Sequence, residues 1–253
     1  MFSRVHIDGL TVYHSSLLKS CKNVCHGFSA RTGGISRNEF HSLNLGFSVG
    51  DDEDNVLYNR QKFYRHLQMQ PDRTAEGEQV HGNRVQIVEN PGVFRGTDAL
   101  VTVKKRLPLI IKTADCAAVI LFDSGQSVVA AVHAGWRSVN RDILENTIQV
   151  MVDSYHCQQA DIIAVIGPSI HPCCYEVQED VRNLFPGNVV IQRDSKYYLD
   201  VPGAIRMRLI ARGINSDHID DSGLCTACEE DLFFSYRRDR GQTGRMMATA
   251  YLI

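Results

Sequence analysis

Three short segments of this sequence place a side chain that can bind a metal beside small residues. They are Gln79-Val-His-Gly82, Thr113-Ala-Asp-Cys116 and Ala131-Val-His-Ala-Gly-Trp-Arg137. Imidazole nitrogen and thiolate sulfur are donors that zinc prefers, and three protein ligands leave a fourth position free for chemistry. The segments therefore make His81, Cys116 and His133 candidate ligands of a catalytic metal.

The same residue types allow other interpretations. A histidine at a strand end is usually a hydrogen-bonded surface residue, and a cysteine opening an apolar strand is usually a small core residue. A thiol beside an imidazole can also act as a nucleophile, so Cys116 and His133 are equally candidates for a catalytic dyad. Spacing alone leaves the metal centre, the dyad and the two structural roles open.

Two strands must position the thiol and the second imidazole. Apolar runs at 117–123 and 127–133 flank a Ser-Gly turn at 124–125, which is typical of a β-hairpin. In such a hairpin Cys116 enters one strand and His133 ends the next, at nearly the same level of the sheet. The two side chains are therefore predicted to be neighbours.

Periodicity predicts further elements around this hairpin. Helices are expected at 54–69 behind a cap at 54 or 55, at 143–155, at 176–185 and after Pro202. Other strands are expected at 109–112, 162–166, 189–192, 197–201 and 247–253. Hairpins mixed with strand-helix-strand alternation indicate an α/β protein with mixed sheets. No repeat and no Pro/Ser/Gly-rich linker divides residues 1–253, so we expect a single domain.

Charge and composition narrow the class of protein. The chain has 27 Lys and Arg against 29 Asp and Glu, a net charge of −2, and 43% of its residues are hydrophobic. This balance is that of an ordinary globular protein and offers no basic surface to nucleic acid. The longest apolar runs fall far short of the ~20 residues of a membrane helix, and no export signal is visible. We therefore expect a cytoplasmic protein that binds neither nucleic acid nor membrane. The sequence leaves its oligomeric state open.

Most of the eight cysteines lie outside the three segments. Cys225 and Cys228 form a lone C-x-x-C, for which ordinary thiols, a reversible disulfide and a metal pair remain open. Structural zinc would need two more ligands. For the adjacent Cys173 and Cys174 we expect a structural or pocket-lining role rather than a second metal site.

Several common catalytic motifs are absent. The chain has no G-x-x-x-x-G-K, no G-x-G-x-x-G, no H-E-x-x-H and none of the His-x-His pairs of a multicopper centre. The segment Gly46-Phe-Ser-Val-Gly50 matches the nucleophile-elbow pattern, but its preceding strand is short and an acidic loop follows it. We interpret it as a turn.

Ordered motifs from His26 to the C terminus resemble one known family. Besides the three segments they include His26-Gly-Phe-Ser-Ala-Arg31, Ser42-Leu-Asn-Leu-Gly46, Thr97-Asp-Ala-Leu-Val-Thr102, Cys173-Cys-Tyr-Glu-Val177 and Phe233-Phe-Ser-Tyr-Arg-Arg238. The sequence is similar to the laccase-domain family, once labelled multicopper polyphenol oxidoreductase. Its members are described as purine nucleoside phosphorylases and, in one bacterial branch, as peptidoglycan editing factor.

This resemblance implies that His81, Cys116 and His133 hold a metal, with zinc expected and copper possible in the same site. It implies an α/β fold with α/β/β/α layers, similar to the catalytic domain of a deamidating bacterial toxin. The implied activity is phosphorolysis of adenosine, inosine, guanosine and methylthioadenosine to the base and pentose 1-phosphate, with adenosine deamination. Purine nucleosides and phosphate are then the partners.

Other residues receive roles as hypotheses. Zinc would lower the pKa of a water in the fourth position toward ~7 for attack on C6 of adenine, with Asp115 a candidate proton carrier. Arg137, near the start of a helix after His133, offers phosphate a guanidinium and a positive helix end. Arg31 and Arg60 are expected to complete that pocket.

Three alternative classes remain. A single copper in the triad would suit a phenol oxidase. A Cys116/His133 pair would suit a hydrolase or amidase that acts on cell-wall precursors. A non-enzymatic binding module with structural zinc would require a fourth protein ligand.

Overall fold

The computed structural model describes residues 1–253. The strands are β1 (Phe2–Ile7), β2 (Leu10–Ser15), β3 (Val24–Ser29), β4 (Ala75–Gly77), β5 (Val85–Ile87), β6 (Gly92–Phe94), β7 (Ala99–Thr102), β8 (Leu109–Thr113), β9 (Ala117–Asp123), β10 (Val128–Ala134), β11 (Ile163–Ile166), β12 (Glu176–Val177), β13 (Val190–Arg193), β14 (Lys196–Leu199), β15 (Ile219–Asp221) and β16 (Met246–Leu252). The helices are α1 (Ser16–Lys19), α2 (Glu53–His66), α3 (Trp136–Asn140), α4 (Ile143–Tyr155), α5 (Glu179–Arg182) and α6 (Val201–Ala211).

The strands form two large sheets and one small one. The first sheet has the order β1-β2-β3-β16-β8-β4-β6, the second β15-β11-β9-β10-β7-β5, and the third β12-β14-β13. Most neighbours are antiparallel, whereas β4 runs parallel to β6 and β8, β5 runs parallel to β7, and β11 runs parallel to β15. The prediction of an α/β protein with mixed sheets is therefore confirmed.

The two large sheets pack against each other because their central strands are apolar on both faces. In β16, Met246, Ala248 and Ala250 belong to the core between the sheets, whereas Met247 and Tyr251 pack with α2 on the outer face. Helices α4 and α6 cover the outer face of the second sheet. The layers are thus α/β/β/α, and each large apolar side chain buried between them contributes about 1.5–3 kcal/mol.

The predicted hairpin is present. Strands β9 and β10 pair so that Ala117 lies opposite Ala134 and Ala118 lies opposite His133. The Asp123 carboxylate accepts the N–H groups of residues 125 and 126 at 2.8 and 3.0 Å, which closes the turn. Cys116 thus stands directly before β9, level with the end of β10, as the sequence predicted.

Two of the predicted helices begin at other residues than predicted. Helix α2 is capped by Asp52, whose carboxylate accepts the N–H groups of Asp54 and Asn55, so the cap lies ahead of the predicted one. Helix α6 begins at Val201 and includes Pro202 in its first turn, where a missing N–H breaks no helical bond.

The predicted helix at 176–185 is wrong in its first part. Glu176 and Val177 pair with Tyr198 and Tyr197 as a short strand, because the third sheet supplies a ladder that local periodicity does not show. Only Glu179–Arg182 is helical.

The N-terminal strands β1, β2 and β3 lie in a part of the chain for which no strand or helix was predicted. Separately, no helix in the structure has the length and apolar character that crossing a membrane requires.

Candidate metal centre and cavity

The structure brings His81, Cys116 and His133 together. Their ligand atoms lie within 4.8 Å of one another, and His81 Nε2 is 3.8 Å from Cys116 Sγ. The loop after β4 carries His81, the residue before β9 is the cysteine, and the end of β10 carries His133. Three separate segments therefore converge on one group.

The donor set fits a tetrahedral metal with an open position. Metal–nitrogen distances of about 2.0–2.1 Å and a metal–sulfur distance of about 2.3 Å require donor atoms about 3.3–3.8 Å apart. The 3.8 Å between His81 Nε2 and Cys116 Sγ agrees with that requirement. His133 Nδ1 donates to Asp98 Oδ1 at 2.9 Å, which leaves Nε2 as the free ring nitrogen for a metal.

Asp98 is the functional residue that sequence reasoning missed. Its fully buried carboxylate accepts the backbone N–H groups of Val80, His81 and Gly82 at 3.2, 3.0 and 2.8 Å, in addition to the ring N–H of His133. One carboxylate therefore orients two of the three candidate ligands. The residue stands in the Thr97–Thr102 motif, but nothing in its spacing pointed to the metal group.

Gly135 keeps space open beside the ligands. A Cβ atom at this position would lie 2.7 Å from Cys116 Sγ and 3.2 Å from His81 Cδ2. Both distances are shorter than ordinary contacts, so a side chain here would displace the thiolate or the imidazole. The glycine of the Val-His-Ala-Gly-Trp segment is thus part of the metal group's construction.

The backbone is strained at two residues of the site. His81 and Asp115 have φ values of 57° and 90°, a region that costs a residue with a side chain on the order of 1–3 kcal/mol. Asp115 is held there by Thr226 Oγ1 and Arg237 N–H, which donate to its two carboxylate oxygens at 2.7 and 2.6 Å. These contacts position the adjacent Cys116, and the proton-carrier role of Asp115 stays a prediction.

Cys116 and His133 polarise each other. Burial alone would raise the pKa of the Cys116 thiol, but the charge of His133 and hydrogen bonds from both histidines lower it to about 6. Burial alone would lower the pKa of His133, but the Cys116 thiolate and Asp98 raise it to about 9. A thiolate is the form of cysteine that binds metals and attacks electrophiles.

The metal-competent group lines a cavity of about 970 Å³. Three arginines also line it, namely Arg137, Arg237 and Arg245, and none of them forms an ion pair with a carboxylate. Their guanidinium groups lie over the rings of Trp136, Tyr175 and Tyr236 at 4.3, 4.7 and 5.8 Å. Cations without carboxylate partners make this cavity suited to an anion.

Of the three predicted phosphate-binding arginines, the structure brings only Arg137 to the cavity. Helix α3 is five residues long, so its end adds little field and the guanidinium itself supplies the charge. Arg237 and Arg245 were not predicted, because their segment lies more than ninety residues beyond His133 in the chain, although Arg237 stands in the Phe233–Arg238 motif.

The other two predicted arginines have structural contacts elsewhere. Arg31 donates to the carbonyl oxygens of His41 and Glu230 at 2.8 and 3.0 Å. Arg60 is buried, forms an ion pair with Glu76 at 2.8 Å and donates to a loop carbonyl. Neither is among the residues that line the cavity, because their guanidinium groups already hold loops and strands together.

Fold and site define an α/β protein of two packed sheets, with an open His/Cys/His group that can bind a metal in a cavity with unpaired arginines. Residues 25–253 match the model of the family described as multi-copper polyphenol oxidoreductase laccase, and the chain belongs to this family. The resemblance predicted from the ordered motifs is thereby confirmed.

Curated relatives carry another activity in their names. The chain is 36% identical over 240 residues to purine nucleoside phosphorylase YlmD of Geobacillus stearothermophilus, covering 88% of each chain. It is 39% identical over 229 residues to a purine nucleoside phosphorylase of Deinococcus radiodurans, covering 89% of this chain and 88% of the relative. The crystal structure of YlmD from Geobacillus stearothermophilus superposes with a TM-score of 0.92 at 32% identity, covering 98% of this chain and 97% of that one.

Proposed function

We propose that this protein is a zinc-dependent purine nucleoside phosphorylase that converts adenosine, inosine, guanosine or methylthioadenosine and phosphate to the base and the pentose 1-phosphate. The observation that carries the proposal is the presence, in one cavity, of the His/Cys/His group and three arginines without carboxylate partners. The names of the curated relatives support the same activity.

Phosphate is assigned to the arginines. Phosphorolysis needs a bound dianion beside the anomeric carbon, and a guanidinium offers two parallel N–H donors to such an anion. The guanidinium of Arg137 makes no hydrogen bond within the protein and stacks on Trp136, so its donors are available. Arg237 is held by a hydrogen bond of 2.6 Å to the Glu176 carbonyl, which fixes its guanidinium at the cavity wall.

The nucleoside is assigned to the aromatic part of the same cavity. A volume of about 970 Å³ lies at the upper end of small-molecule sites, which measure roughly 300–1,000 Å³. Trp136, Tyr175 and Tyr236 line it and supply flat apolar area against which a purine can stack. Base, sugar and phosphate can thus be accommodated together.

His81, Cys116 and His133 would hold the metal, and the metal would supply Lewis-acid chemistry in the cavity. Asp98 fixes the ring of His133 and the loop of His81 by the hydrogen bonds described above, and Asp115 is proposed to carry a proton near the base. We include adenosine deamination as an activity of the same group, since an open three-ligand centre is the arrangement used for hydrolytic chemistry. We propose that this reaction takes place in the cytoplasm.

The test incubates the purified protein with inosine or adenosine, with and without phosphate, and identifies the products by chromatography. The proposal expects free base and pentose 1-phosphate only when phosphate is present. Free base formed at the same rate without phosphate, or no reaction with any purine nucleoside, would contradict it.

A hydrolase is the second candidate, because the depressed pKa of Cys116 suits a nucleophile as well as a ligand. Such an enzyme would lose activity on thiol alkylation and tolerate chelators, whereas the zinc enzyme loses activity to chelators. A copper phenol oxidase, the third, would oxidise phenols and contain copper when purified without added metal.

A further inference from the structure

A second group of metal-competent side chains lies outside the cavity lining. Cys173, Cys174, Cys225 and Cys228 place their four Sγ atoms within 4.8 Å of one another. Cys228 Sγ is 3.4 Å from Cys173 Sγ and 3.3 Å from Cys174 Sγ. In the sequence these cysteines form two separate pairs. The fold brings Cys173 and Cys174 to the C-x-x-C of Cys225 and Cys228, which supplies the two further ligands that structural zinc requires.

A backbone group is directed at the buried sulfur of this cluster. The His171 N–H donates to Cys225 Sγ at 3.5 Å. Hydrogen bonds of this kind orient a thiolate ligand and spread its negative charge. The cluster therefore has ligands and a supporting contact.

We propose that Cys173, Cys174, Cys225 and Cys228 bind a structural Zn²⁺ through four thiolates. Metal–sulfur distances of about 2.3 Å in a tetrahedron put the sulfurs about 3.8 Å apart. The separations of 3.4 and 3.3 Å from Cys228 Sγ are close to that value, and all four sulfurs lie within 4.8 Å of one another. Four sulfurs fill the coordination shell, so this site has no position for substrate. Four thiolates in a tetrahedron favour zinc or iron among the biological metals.

The arrangement favours a metal over a disulfide. Cys228 Sγ is almost equally close to Cys173 Sγ and Cys174 Sγ, so no single pair is selected. A disulfide would use two of the four sulfurs, whereas a metal uses all of them.

The proposed zinc would fasten two walls of the cavity together. Tyr175 and Glu176 follow the first cysteine pair directly, and both line the cavity. Thr226, inside the C-x-x-C, donates to Asp115 at 2.7 Å next to Cys116. A metal at the cluster thus fixes segments that position the pocket, and it does so whatever reaction the pocket performs.

The test measures zinc bound to the full chain after weakly bound metal is removed. Wild type is expected to keep two zinc ions per chain, one for each group of ligands. The variants Cys116→Ala and Cys225→Ser/Cys228→Ser are each expected to keep one. The matched control Cys21→Ser changes a cysteine outside both groups and keeps the wild-type zinc content. Co²⁺ bound to the Cys116→Ala variant should show the visible spectrum of four thiolate ligands.

A second measurement needs no variant and so does not depend on the folding of one. Wild type is alkylated under native conditions, and its peptides are identified by mass before and after a strong chelator. The cluster cysteines should become reactive only after chelation, whereas Cys21 should react alike in both samples. Zinc-free Cys116→Ala, iron in place of zinc, or cluster cysteines recovered as disulfides would overturn the proposal.

Discussion

The two groups of metal-competent side chains differ in their donor atoms and in their surroundings. In both, the ligand atoms lie within 4.8 Å of one another. The first has two imidazoles and one thiolate and lines a cavity of about 970 Å³. The second has four thiols and stands outside the cavity lining. Three mixed donors leave a position open for chemistry, whereas four sulfurs close the shell.

The contacts that hold the ligands in place also differ between the two groups. The triad depends on the Asp98 carboxylate, on strained backbone at His81 and on the bare Cα of Gly135. The cysteine cluster has the His171 backbone N–H directed at Cys225 Sγ. Strain and a buried carboxylate are typical of a functional site, and a closed sulfur cluster is typical of a structural one.

Stepwise removal of metal should give the largest difference between the triad and the cysteine cluster. We expect a moderate chelator to take the metal from the open triad first and to abolish phosphorolysis, while the four-cysteine site keeps its zinc. Zinc content and activity are measured on the same samples, and added zinc should restore both. Activity that survives loss of the first zinc equivalent would reverse the roles assigned to the two groups.

Asp98→Asn should weaken only the triad. An amide cannot carry the charge that supports the His133 ring and three backbone N–H groups, so zinc affinity there should fall about 10–100-fold. Competition with a chromophoric chelator measures this. Asp123→Asn, which alters a carboxylate of the β9–β10 turn, is the matched control and should leave zinc affinity unchanged. Equal affinity in Asp98→Asn would remove this residue from the metal centre.

Substitutions of two arginines distinguish a residue that lines the cavity from one with a structural role. Arg137→Gln should raise the KM for phosphate about 10–100-fold, because hydrogen bonds to a charged group contribute about 1.5–3 kcal/mol. Arg31→Gln should lower the melting temperature and leave this KM unchanged, since Arg31 holds the carbonyl oxygens of His41 and Glu230. Steady-state kinetics at varied phosphate concentration measures this KM in both variants. An equal rise in the KM of both variants would assign Arg31 to the phosphate site.

The smallest effect is expected at the closed cluster. Cys228→Ser should lower the melting temperature by about 4–8 °C, which corresponds to about 2 kcal/mol in a chain of this size. The kcat of the remaining folded protein should stay within about twofold. Scanning calorimetry and kinetics on one preparation measure both, and a variant that is fully stable but inactive would assign the cluster to catalysis.

The predictable parts of this molecule are those that local sequence determines. The hairpin of β9 and β10 follows from two apolar runs and a Ser-Gly turn, and its register alone made Cys116 and His133 neighbours. Helix α4 follows from an apolar stripe at helical spacing, and its observed bounds are Ile143–Tyr155.

Long-range contacts account for what the sequence did not reveal. The cysteine cluster joins residues near 173 to residues near 225, and no local pattern records that approach. Arg60 matched a pocket residue by type, but its buried partner Glu76 is visible only in the fold. Glu176 and Val177 became a strand because β14 lies beside them.

The central claim is that the open triad, rather than the closed cluster, supports phosphorolysis. The most direct measurement supplies inosine and phosphate to zinc-loaded wild type and to folded Cys116→Ala, and identifies the products by chromatography. The account predicts hypoxanthine and ribose 1-phosphate from wild type and none above background from the variant. Full turnover by Cys116→Ala without metal at the triad would contradict it.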